Sequence, residues 1–117
     1  MIACNGSREA ARAVAVAMPL LKGAASVDVQ SANPDCIGDE PGADIGHFLA
    51  NHGITVEVSH TLTNDILIGD ELLNRAADRN KDMLEMLGYG HSQFRETLGG
   101  ATRHILRHMT GPTLLSH

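Results

Sequence analysis

Short apolar runs and longer stretches of helical periodicity alternate along the chain. Met1–Cys4 is apolar and reads as a strand, and Asn5-Gly6-Ser7 follows as a turn. Ser7 is a good N-cap, and Glu9 falls in the first turn of a helix, where the dipole favours negative charge. Ala10, Val14, Ala17 or Met18, and Leu21 recur at helical spacing up to Gly23, and Pro19 predicts a kinked or irregular last turn. Ser26–Ser31 alternates Val27 and Val29 with polar residues, a strand pattern. Ala32–Gly42 reads as loop, with Asn33-Pro34-Asp35 and Pro41-Gly42 as breakers. A second helix carries Ile45, Phe48, Leu49 and His52 on one face and is closed by Gly53. Ile54–Leu62 is rich in β-branched residues and gives a third strand. Thr63-Asn64-Asp65 caps a third helix bearing Ile68, Leu72, Leu73, Ala76 and Ala77. Asp82–Leu87 is a fourth strand, and a glycine-rich loop from Gly88 to Gly100 leads into a fourth helix marked by Ala101, Ile105 and Met109. Pro112–Ser116 is a short last strand.

The order is β-α-β-α-β-α-β-α-β, without repeat or linker, so residues 1–117 form one domain. Strict alternation with short links predicts right-handed crossovers, a parallel sheet and helices on both faces. Ligands of such sheets sit at the carboxyl ends of the strands. Two segments fall there, the Asn5-Gly6-Ser7 turn and the glycine-rich loop.

Composition narrows the partners. At 43% hydrophobic residues the chain can build a core, and with so few aromatics that core is aliphatic. A formal charge of −5 argues against a nucleic-acid surface, although Arg95, Arg103, His104, Arg107 and His108 concentrate positive charge near the end. Cys4 and Cys36 lack metal-ligand spacing, and no leader is recognised, which predicts a reducing, cytoplasmic setting. No apolar run approaches the roughly 20 residues that cross a bilayer.

The glycine-rich loop suits an anion. Gly88, Gly90, Gly99 and Gly100 let a backbone approach closely, and the helix start offers unpaired N–H groups. Ser92, Thr97 and Thr102 add hydroxyls, and His91 and Arg95 add charge. The spacing is neither a P-loop nor the dinucleotide fingerprint.

The segment Tyr89-Gly90-His91-Ser92-Gln93-Phe94-Arg95-Glu96-Thr97-Leu98-Gly99-Gly100-Ala101-Thr102-Arg103-His104-Ile105-Leu106-Arg107-His108-Met109 resembles the C-terminal signature of the universal stress protein family. The opening, Ile2-Ala3-Cys4-Asn5-Gly6-Ser7-Arg8-Glu9-Ala10-Ala11-Arg12-Ala13, resembles that family's first strand, loop and helix. The resemblance implies an open five-stranded parallel sheet in the order 3-2-1-4-5, of the adenine nucleotide alpha hydrolase-like kind, and a homodimer through the last strand, Pro112–Ser116. It also implies ATP or another adenine nucleotide as ligand. Gly90, His91, Ser92, Gly99, Gly100 and Thr102 would meet the phosphates, with Asn5 and Gly6 flanking the nucleoside. The chain departs from the family's loop at named positions. Leu87 stands at its first glycine, eight residues separate Gly90 from Gly99 where the family has nine, Gly100 replaces a Ser or Thr, and Asn5 replaces an Asp.

The resulting expectation is a dimeric stress-response module that senses a nucleotide or anion and is not an enzyme. The alternatives are a structural or dimerisation subunit that binds no nucleotide, and a slow ATP hydrolase. The remaining chemistry-bearing residues read more plainly. His104 and His108 share a helical face, expected to be solvated or phosphate-facing rather than metal-binding. Cys4 is a small buried residue, and Met83, Met86 and Met109 are core. Glu85 is a carboxylate inside a strand that should be buried on both faces.

Overall fold

A computed structural model describes residues 1–4, 8–32, 40, 42–64, 68–87 and 94–116, with backbone alone at 8, 9, 87, 94–100 and 116. The strands are β1 (Ile2–Cys4), β2 (Val27–Ala32), β3 (Val56–Thr61), β4 (Leu84–Leu87) and β5 (Thr113–Ser116). Between them run α1 (Arg8–Leu21), α2 (Ala43–Asn51), α3 (Ile68–Asp78) and α4 (Phe94–His108). All pairings are parallel, and the sheet order is β3-β2-β1-β4-β5. The predicted α/β architecture, with its five-stranded parallel sheet, is therefore the fold.

Right-handed crossovers fix the layers. The chain moves outward from β1 to β3 through α1 and α2, then returns to β4 and β5 through α3 and α4. The two helix pairs must then lie on opposite faces. Two separate apolar clusters reflect this arrangement. Ile2 and Cys4 of β1 join α1 and α2 residues such as Val14 and Leu49. Ala3 of the same strand joins Ile68 and Leu72 of α3 and Ile105 of α4. Alternation along one central strand thus serves both cores.

Several boundaries and faces differ from the sequence pattern. Helix α1 continues through Pro19, and the Lys22 amide still reaches the Met18 carbonyl at 2.9 Å. On α2 the buried positions are Ile45, Gly46 and Leu49, whereas Phe48 and His52 are exposed. The reason is Gly46: a Cβ there would lie 2.5 Å from Val58 Cγ2, so α2 settles on β3 through its side-chain-free strip. Gly53 closes α2 as expected, at φ 75°, and its amide and that of Ile54 bond back to Ala50 and Leu49. On α3, Leu72 is buried, Leu73 and Ala76 are half-buried and Ala77 is exposed. Strand β3 is shorter than the predicted Ile54–Leu62. Met86 is buried, but Met109 lies beyond the end of α4 and is 39% exposed, so it is not core. The predicted caps at Ser7 and Asp65, and Cys36 with most of its loop, lie outside the described residues.

Candidate functional site

Strands β1 and β4 are neighbours, with Ala3 opposite Met86. From the end of β1 the chain leaves for α1 on one face, and from the end of β4 it leaves for α4 on the other. A crevice opens wherever adjacent strands send their connections to opposite sides, and parallel α/β sheets bind ligands there. Asn5 and Gly6 follow β1, and Gly90, His91 and Ser92 follow β4. All five candidates lie outside the described residues.

The other three candidates lie on α4. Its first residue is Phe94, so Gly99 and Gly100 belong to the helix and not to the loop before it. The glycine pair reads as a breaker in sequence, but an interior glycine costs a helix only about 1 kcal/mol. Packing of Ala101 and Ile105 into the core anchors the helix beyond it. A helix leaves only its first four N–H groups unpaired, so the open amides belong to residues 94–97. Thr102 is buried beside Ala101 and Ile105.

At the carboxyl ends of β1 and β2, Cys4 Sγ lies 3.3 Å from Ser31 Oγ. Cys4 is buried, as expected, and Ser31 is wholly inaccessible. Above them Gly42 caps α2 in the left-handed region, at φ 85°. A Cβ on Gly42 would stand 3.0 Å from Val29 Cγ1 and 3.1 Å from Ser31 Oγ. Only glycine lets the start of α2 sit this close. The Pro41-Gly42 pair signals a turn in sequence, but not this contact.

A polar cluster that the sequence reading missed covers the other face of β2 and β3. In register, Asp28 lies opposite Glu57, Gln30 opposite Ser59 and Ala32 opposite Thr61. Two arginines four residues apart, Arg75 on α3 and Arg79 just past its end, span both strands. Arg75 donates to Gln30 Oε1 at 3.2 Å and to Thr61 Oγ1 at 2.5 Å. Arg79 Nη1 meets Asp28 Oδ2 at 3.1 Å and Glu57 Oε1 at 2.8 Å. Lys81 Nζ adds a contact to Asp28 Oδ1 at 2.8 Å. Burial opposes the Asp28 charge, but hydrogen bonds from Lys81 and Arg79 outweigh it and hold the carboxyl below its ordinary range. Hydrogen bonds to Glu57 and then Asp28 raise the Arg79 guanidinium. The signal was present as alternating Asp28 and Gln30 and the spacing of Arg75 and Arg79, but neither half shows its partner.

Glu85 is fully buried. It pairs in register with Ile2 on one side and Leu114 on the other, which puts it on the α1 and α2 face. His104 Nε2 lies 2.7 Å from Asp70 Oδ1, and its ring stacks on His108 with centroids 4.4 Å apart. Among the described residues no group of three or more His, Cys, Asp or Glu side chains is placed to hold a metal ion. No described helix is long and apolar enough to cross a membrane.

No family model matches the chain, and neither a curated protein nor a solved structure does.

Proposed function

We propose that the chain is a universal-stress-type binding module that takes up a nucleotide or another anion in the crevice between β1 and β4. In this reading it is cytoplasmic, acts in the response to stress as a homodimer through β5, and is not an enzyme. The supporting observation is the adjacency of the β1 and β4 carboxyl ends, the two strand ends that the Asn5-Gly6 turn and the Gly90–Ser92 loop follow in sequence. The fit to a bound nucleotide is partial. The position of Gly99 and Gly100 inside α4 transfers anion contact from them to the amides of its first turn.

The experiment is a thermal-stability titration with ATP, AMP and inorganic phosphate. A ligand at 100 times its Kd stabilises the folded state by about 2.7 kcal/mol. We expect such a shift with at least one of the three. No shift with any of them at millimolar concentration overturns the sensor reading.

A second reading, a structural subunit that binds no nucleotide, is favoured by the same α4 boundary and by Leu87 at the end of β4. It predicts a dimer with no ligand response. Phosphate release from ATP would instead support a slow hydrolase.

A further inference from the structure

The attachment of α3 is unequal along its length. Its first half is anchored by buried Ile68 and Leu72. From Leu73 onward no side chain is buried: Leu73 and Ala76 are half-buried, and Asn74, Ala77 and Asp78 are exposed. Leu73 and Ala76 rest against the aliphatic cluster of this face, and the remaining ties to the sheet are polar. Arg75 is tied to Gln30 and Thr61, and Arg79 to Asp28 and Glu57. Lys81, just past the helix, holds Asp28 and Ser26. The opposite flank is underfilled, with a cavity of about 80 Å³ lined by Leu73, Ala76, Met83, Leu84, Met109 and Pro112.

We propose that Leu73–Lys81 is a polar strap over this cavity that opens as a unit smaller than the domain, and that salt loosens it. Opening breaks the arginine and lysine ties and, of apolar contact, gives up the partial burial of Leu73 and Ala76. Its cost is therefore set largely by electrostatics, whereas opening of the aliphatic clusters around it is not. The ties differ in their sensitivity to salt. Asp28 is 6% exposed and shielded from ions, whereas Glu57 is 63% exposed and its pair with Arg79 is screened readily. The open strap uncovers Met83 and Leu84, which line this cavity.

Native-state hydrogen exchange tests the strap without any variant. The amides of Arg79, Asn80 and Lys81 bond to Arg75, Ala77 and Ala76, and so report on it. The amides of Gly46 and Ile54, bonded to Gly42 and Leu49, report on the opposite layer. Raising NaCl from roughly 0.05 M to roughly 1 M should speed exchange at the strap at least ~3-fold and leave Gly46 and Ile54 unchanged. Arg79→Gln should show the fast rate already at low salt, with a smaller response to added salt. Unchanged strap rates, or equal acceleration at all five amides, overturn the proposal. If the variant does not fold, the salt series on the unaltered chain still decides.

Discussion

A Cβ on Gly46 would meet Val58 Cγ2 at 2.5 Å, and Val58 is itself packed against the α1 and α2 cluster. On an open helix face alanine would gain about 1 kcal/mol over glycine. Here overpacking against a stiff branched side chain costs about 1–3 kcal/mol. Gly46→Ala should therefore destabilise by about 1 kcal/mol net in urea unfolding. A rise in stability would mean that α2 does not rest on β3 through this residue. Asp28 carries a second prediction at this scale. Its folded-state pKa is depressed by Lys81 and Arg79. The stability it contributes is thus present above its unfolded value, near about 3.9, and is lost as pH falls through the lower folded value. An acid titration of Asp28→Asn should show less loss of stability below about pH 4 than the parent chain, on top of a lower plateau near neutrality.

Helix ends and helix faces differ in how far they can be read from sequence. Gly53 is legible because a left-handed closing residue is nearly always glycine. The end of α3 uses the same backbone device with Asn80 at φ 51°: its amide bonds to Ala77, and the next amide, of Lys81, bonds to Ala76. Asparagine tolerates this region less well than glycine. Asn80→Gly should stabilise by about 0.5 kcal/mol and Gly53→Ala should cost about 1 kcal/mol, both read from urea midpoints. Element type and order were legible because apolar periodicity reports them directly. The α2 face was not, since Gly46 contributes no hydrophobicity to the pattern yet decides which strip touches β3. The start of α4 was also missed, because Gly99 and Gly100 weaken the local signal while Ala101 and Ile105 supply tertiary anchoring. Of the candidate site, topology gives the crevice. Thr102 was read as a donor from its hydroxyl, and its burial depends on the turn of α4 relative to the core.

At the scale of the whole molecule, the sheet ends in two unlike edges. Edge strand β3 carries exposed Glu57 and His60, and Arg75 of α3 and Arg79 just past it reach across to it. Charged residues of this kind discourage a second sheet from pairing there. Edge strand β5 is Thr113-Leu114-Leu115-Ser116, uncharged throughout. Leu115 is 36% exposed at this edge. Leu106 of α4 is 44% exposed, and Met109, just past the end of that helix, is 39% exposed. Leu115 lies opposite Met86, so it shares the sheet face that α4 covers. The proposed dimer therefore has one edge suited to it and one that resists it. Replacing Leu115 by lysine adds two like charges to a two-fold interface, one from each copy, and leaves both aliphatic clusters intact. Leu115→Lys should sediment as a monomer at concentrations where the parent chain is a dimer, with its unfolding midpoint extrapolated to the monomer little changed. Glu57→Lys at the other edge should leave the dimer in place. Should Leu115→Lys remain dimeric while Glu57→Lys dissociates, pairing belongs to β3, and the arginine ties across that strand acquire a role in assembly.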